Sequence, residues 1–224
     1  MSQFINLTED IVAEAVDGVV SASGGRLARL DGYPHIRVVL RADWDKAGVA
    51  LVSGGGSGQE PAQAGFVGAG MLTSAICGDV FASPSVDGAL VGILEVTGPA
   101  GSLLIVKNDT GDRLNFGLAA ERVRAFGLNV ALVVAMTTSP RPTCRRRATL
   151  FVHKIAGTLA ENGADRTATM EAAKAGRSAY INADQLKGEV DPGAEAVARL
   201  FESLAAWARD GTGDAPALRS ARAT

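Results

Sequence analysis

The chain has 224 residues, 47% of them hydrophobic, and a formal net charge of −2. That composition builds a buried core in one domain or two small ones, and it excludes a disordered polymer and any global electrostatic pull toward nucleic acid or anionic membrane. Aromatic residues make up 5%, too few for a stacking platform for single-stranded nucleic acid, and no apolar run reaches the ~18 residues of a membrane span.

The opening segment MSQFINLTEDIVAEAVDG is acidic where a secretory leader would be basic, so a cytoplasmic protein is expected. Thr8 is predicted to cap a helix whose apolar positions are Ile11, Val12, Ala15, Val16 and Val19, broken at Gly24-Gly25. Ile36 to Leu40 and Val49 to Val52 have the pattern of strands. The second runs into Ser53-Gly54-Gly55-Gly56-Ser57-Gly58, four glycines and two serines in six residues. Such density suggests a loop shaped for a ligand rather than for packing. Residues 60–72 are small and apolar, consistent with a packed helix or turn, and Ser83-Pro84-Ser85 resembles a helix start before Val86, Leu90, Ile93 and Leu94.

Leu103 to Val106 is a continuous apolar run, as expected of a strand buried on both faces. A helix with Leu114, Leu118, Ala119, Val123 and Phe126 near one face is predicted next, then a strand over Asn129 to Ala135. Strand, helix, strand in this order implies a parallel α/β sheet. Residues 136–147, MTTSPRPTCRRR, break the composition and are expected to form a solvated loop, with Arg145 to Arg147 too short and isolated a cluster to mark nucleic acid. Helical periodicity resumes at Leu150 and stops at Asn162-Gly163, and returns from Thr167 to Ala175. A last helix is expected from Asp191-Pro192-Gly193 through Trp207, with residues 210–224 as a tail.

Three places could carry chemistry. The glycine-rich loop lacks the GK[ST] of a Walker loop and fails GxGxxG, because Pro61 falls at the third glycine position. It remains a candidate cradle for a small polar ligand at a strand end. Lys107 and Asp112 follow the buried strand; there an aspartate can take a proton from a hydroxyl and a lysine can hold an oxygen. Asp112 as a simple helix cap is the competing reading. Asp191-Pro192-Gly193 is equally a well-made helix start or a phosphate contact at a positive helix end. Cys77 and Cys144, like His35 and His153, lie in unrelated contexts, so neither a disulfide framework nor a metal site is predicted.

Together the strings VALVSGGGSGQEPAQAGFVGAGMLTSAICGDVFASPS, LLIVKNDTGDRLNFGLA and TLFVHKIAGTLAE resemble the substrate-binding K domain of the dihydroxyacetone (glycerone) kinase family. AAKAGRSAYINADQL and DPGAEAVARLFESLA resemble the end of that family's nucleotide-binding L domain. The resemblance implies a partial α/β K domain over residues 1–164, an all-helical L-domain remnant over 165–208 and a tail over 209–224. It implies dihydroxyacetone or a related short ketose bound by Gly56, Ser57, Gly58, Gln59, Lys107 and Asp112, with Asp112 as the base. It also implies ATP touched by Asp191, Pro192 and Gly193, magnesium as cofactor, and a homodimer.

The chain departs from the family pattern in ways that bear on activity. Where the family has GSGHEP, this chain has Gln59, which hydrogen-bonds but shuttles no proton near pH 7. The histidine that bonds covalently to the substrate carbonyl belongs to a part of the K domain that is missing here, and the magnesium-binding aspartates are missing too. Loss of the metal would remove the main charge stabiliser of phosphoryl transfer. The expectation is a family member with a large internal deletion joined near Gly163-Ala164-Asp165, and with little or no kinase activity. A non-catalytic ketone-binding remnant or regulator is the alternative. A one-base frameshift is also expected within 136–147, and the coding DNA tests it: one shifted base must restore an acidic stretch there.

Overall fold

The computed structural model describes residues 6–30, 35–135 and 142–175. The chain divides into two compact units, Met1–Tyr180 and Ile181–Thr224. The expectations for Asp191 to Gly193, the last helix and the tail lie outside the described residues.

Helix α1 (Ile11–Ala22) precedes strands β1 (Leu27–Arg29), β2 (Arg37–Arg41) and β3 (Ala50–Ser57). A 3₁₀ turn (Ala64–Phe66) leads to β4 (Ser74–Val80), and then α2 (Val86–Val96), β5 (Ser102–Lys107), α3 (Thr110–Ala125), β6 (Val130–Ala135), α4 (Pro142–Glu161) and α5 (Arg166–Ala175) follow. The six strands form one sheet in the order β1-β2-β4-β3-β5-β6. β4, β3, β5 and β6 pair in parallel, while β1–β2 and β2–β4 are antiparallel. The expected α/β fold with a mostly parallel sheet and flanking helices is therefore observed.

The apolar runs divide residue by residue between two cores, because side chains alternate across a strand. Leu51, Leu103, Ile105 and Val133 pack with Val12 and Val16 of α1, Val152 and Ala156 of α4, and Ala173 of α5. Val52, Leu104 and Val106 pack on the other face with Ala89 and Ile93 of α2 and Phe116, Ala119 and Val123 of α3. Burial on both faces is why these strands have no polar alternation. α5 thus shares the sheet's core although its sequence begins past the expected join.

Several local expectations are corrected. Thr8 does not cap α1; Asp10 occupies the N-cap position and its side chain makes no capping bond. β1 and β4 were not foreseen. β1 is too short to show a period, and β4 is an apolar run that ends in Gly78-Asp79. α3 turns a different face inward: Leu114, Leu118 and Phe126 are exposed, and Phe116 and Ala120 are buried with Ala119 and Val123. Pro142 onward is helical, so Arg145 to Arg147 lie on α4 and not in a loop. Ser85 does cap α2, accepting a hydrogen bond from the Gly88 N–H at 3.0 Å.

Candidate functional site

β3 and β5 are parallel neighbours, so their carboxyl ends open on the same side of the sheet. That is where open α/β sheets hold ligands. β3 does not stop at Val52 but runs through the glycines to Ser57. The expected loop is therefore mostly strand, and its glycines serve packing within the protein. A Cβ at Gly54 would strike Ile76 O and come within 2.8 Å of Phe116. One at Gly56 would lie 2.8 Å from the Ala82 nitrogen. One at Gly55 would fall on the Lys107 ammonium and 3.3 Å from Asp112 Oδ2. Gly55 thus makes room for two polar side chains to converge over the strand.

Lys107 is the last residue of β5, and Asp112 lies in the first turn of α3. Lys107 Nζ stands 3.9 Å from Asp112 Oδ2, with side chains 19% and 2% exposed. Asp109 takes the N-cap position, so Asp112 is not the cap. Burial pushes the Asp112 carboxyl above its ordinary range, against a hydrogen bond from Ser83 and the charge of Lys107. Its Oδ1 has no partner among the described residues. A carboxylate with raised pKa and an open lone pair is a stronger base than a free aspartate.

Lys107 and Gln59 line a common pocket of about 210 Å³ with Pro61, Ala62, Gln63, Phe66, Thr149 and Leu150. The far wall comes from α4, whose Gly157 lets it lie against the backbone of Gly70 and Met71. His153, one turn on from Thr149, is fully buried near Phe66 with neither ring nitrogen hydrogen-bonded. Burial, and then the charge of Lys107, push its pKa down to about 3, so it stays neutral. Cys77 is also buried, and its thiol is pushed up to about 12, which leaves it unreactive.

The structure therefore brings Gly55, Lys107 and Asp112 together and places Gln59 in the adjoining pocket. Ser57 is buried and donates its hydroxyl to Gly78 O at 2.8 Å, so it braces β3 on β4. Gly56 packs under residues 81–82, and Gly58, with φ of +89°, turns the chain out of the strand. Sequence reasoning missed Ser83, Gln63, Thr149 and Leu150. Ser83 was visible only as part of a helix start, and the others are brought in by tertiary packing.

An ammonium and a buried carboxylate at the mouth of parallel strands define an α/β domain built for a small, oxygen-rich ligand. Residues 17–182 match the Dak1 domain, and the chain belongs to that family, the family of the dihydroxyacetone kinases. It is 54% identical over 169 residues to the dihydroxyacetone kinase of Citrobacter freundii, covering 73% of this chain and 31% of that protein. The crystal structure of the dihydroxyacetone kinase from C. freundii with AMP-PNP and Mg²⁺ superimposes with a TM-score of 0.71 at 49% identity, over 77% of this chain and 33% of the other. The dihydroxyacetone kinase operon co-activator Dha-DhaQ is similar with a TM-score of 0.64 at 27% identity, over 72% of this chain and 50% of that one. The chain thus spans about a third of the length of the kinase it matches.

Proposed function

We propose that this chain binds dihydroxyacetone or a related short hydroxyketone at the Lys107–Asp112 pair and turns it over little or not at all. The observation that carries the reading is the convergence of these two side chains over Gly55 at the carboxyl ends of β3 and β5. Lys107 donates to the ligand's carbonyl or hydroxyl oxygen. Asp112 accepts a hydroxyl proton, the step that prepares that oxygen for phosphorylation. Gln59 adds a hydrogen bond at the pocket and cannot act as a proton shuttle.

ATP and Mg²⁺ are the expected partners of the complete kinases, and the C. freundii relative was solved with AMP-PNP and Mg²⁺. Among the described residues no cluster of three His, Cys, Asp or Glu is placed to hold a metal ion. Those residues do not fit Mg²⁺, and no step is derived through it. Nucleotide contact at Asp191, Pro192 and Gly193, a homodimer and a cytoplasmic location belong to the same proposal. No helix among the described residues is long and apolar enough to cross a membrane.

A regulatory, non-catalytic role is the second reading, favoured by the likeness to the operon co-activator. Calorimetry with dihydroxyacetone, alongside an ATP- and Mg²⁺-dependent phosphorylation assay, separates the readings. Binding that is lost in Lys107→Met, without turnover, is the expected result. Turnover at the rate of ordinary metabolic kinases, ~1–100 s⁻¹, would sink the remnant reading, and absence of ketone binding would overturn the site itself.

A further inference from the structure

Gln63 is 6% exposed and lines the pocket shared by Lys107 and Gln59, yet its Oε1 has no hydrogen-bond partner among the described residues. Its backbone is fixed: the Gln63 carbonyl accepts from the Phe66 N–H at 2.9 Å, starting the 3₁₀ turn. Around it the lining is largely apolar, with Pro61, Ala62, Phe66 and Leu150. A buried carboxamide oxygen left unpaired is a standing cost to the folded protein, and such groups normally find a partner. In a pocket of few polar groups, each one present dictates what the ligand must offer.

The two polar ends make different demands. Lys107 has only donors, so it needs a ligand oxygen that accepts. Gln63 Oε1 has only lone pairs, so it needs a ligand group that donates. A carboxylate or phosphate satisfies the first and is repelled by the second. A neutral molecule with a carbonyl and a free hydroxyl satisfies both. We propose that Gln63 is a specificity residue that accepts a hydrogen bond from a ligand hydroxyl at the end of the molecule away from Asp112. This rests on the reading that the pocket takes a short hydroxyketone, and it adds a second hydroxyl to what the site requires.

The test uses the full chain and two probes, dihydroxyacetone and hydroxyacetone, in which one terminal hydroxyl is replaced by hydrogen. Calorimetry on the unaltered chain is expected to show dihydroxyacetone binding about tenfold tighter, the effect of leaving one buried polar group unpaired. In Gln63→Met, which keeps the length and removes the acceptor, the two ketones are expected to bind within about twofold of each other, through weaker binding of dihydroxyacetone. Without ligand, Gln63→Met is expected to melt at or above the temperature of the unaltered chain, because an orphaned acceptor is gone. Discrimination that survives in Gln63→Met overturns the proposal while leaving ketone binding intact. A clearly lower melting temperature for the variant assigns Gln63 to the scaffold and also overturns it. If neither ketone binds the unaltered chain, the hydroxyketone reading of the pocket falls, and this inference with it.

Discussion

At Gly54 and Gly55, neighbouring positions of one strand, the missing Cβ does two different jobs. Beside Gly54 lie backbone and a buried ring, which cannot move cheaply; beside Gly55 lies the far end of Lys107, which can. Gly54→Ala is therefore expected to destabilise the fold by about 1–3 kcal/mol through overpacking. Gly55→Ala should fold and lose ketone affinity as Lys107 is pushed aside. Urea denaturation and calorimetry on both variants check the contrast; equal stability losses would contradict it. Asp112 makes a prediction of its own. Its folded pKa lies above its ordinary 3.8, so the fold favours the protonated form. Stability from this group is full below pH 3.8 and falls as pH rises through the interval up to the folded value. Asp112→Asn is neutral at every pH. It should be more stable than the parent at pH 7, with the gain vanishing at pH 3, and it should bind no ketone productively. A variant that is less stable at pH 7 would show that the charge on Asp112 supports the fold.

Between elements, the strongest polar tie runs from the end of β2 to the end of α4. Arg41, 9% exposed in its side chain, reaches Glu161 at 2.5 Å and Asp43 at 2.9 Å, and its guanidinium lies 5.6 Å from the Trp44 ring. The hydrogen bond to Arg41 holds both carboxyls below their ordinary range. A depressed carboxyl pKa gives stability that is present above the ordinary value and lost as pH falls through the folded one. Arg41→Met is expected to cost about 1–2 kcal/mol at pH 7, a modest figure because Asp43 and Glu161 are 68% and 42% exposed. The difference from the parent should shrink near pH 3, and a difference independent of pH would argue for packing alone. The same element carries Thr149 and Leu150 into the pocket wall, so loosening its far end tests whether the wall is rigid.

For the whole molecule, residues 1–180 form one compact unit with cores on both sides of a single sheet. A chain stopped after Tyr180 is therefore expected to fold, to keep the emission of Trp44 and to bind ketone as the full chain does. Loss of the Trp44 transition in urea would show that residues 181–224 are needed for the fold. The division proposed from sequence, 1–164, 165–208 and 209–224, differs in principle from this one. It follows ancestry, whereas packing places α5 with Ala173 in the core of the sheet. Limited proteolysis should accordingly cut after residue 180 before it cuts near 164.

Much of this protein was legible in its residues. Continuous apolar runs over Leu103 to Val106 and Asn129 to Ala135 announced strands buried on both faces, because only such strands dispense with polar alternation. The order of runs, turns and helices announced a parallel sheet, and the glycine-rich string with KNDTGD named the family. Lys107 and Asp112 were found because chemistry at a strand's carboxyl end recurs at a fixed place in the chain. What the sequence could not carry was side-chain destination. α3 offers Leu114 and Leu118 on one stripe and Phe116 and Ala120 on another, and only contact with α2 and the sheet selects the second. The glycines of β3 look like a ligand loop until Phe116, Lys107 and Ala82 fill the space beside them. Gln63, Ser83 and Thr149 join the site across long stretches of chain. Their roles exist only once the fold has removed water from around them, since it is burial that turns an ordinary amide or carboxyl into a group in need of a partner.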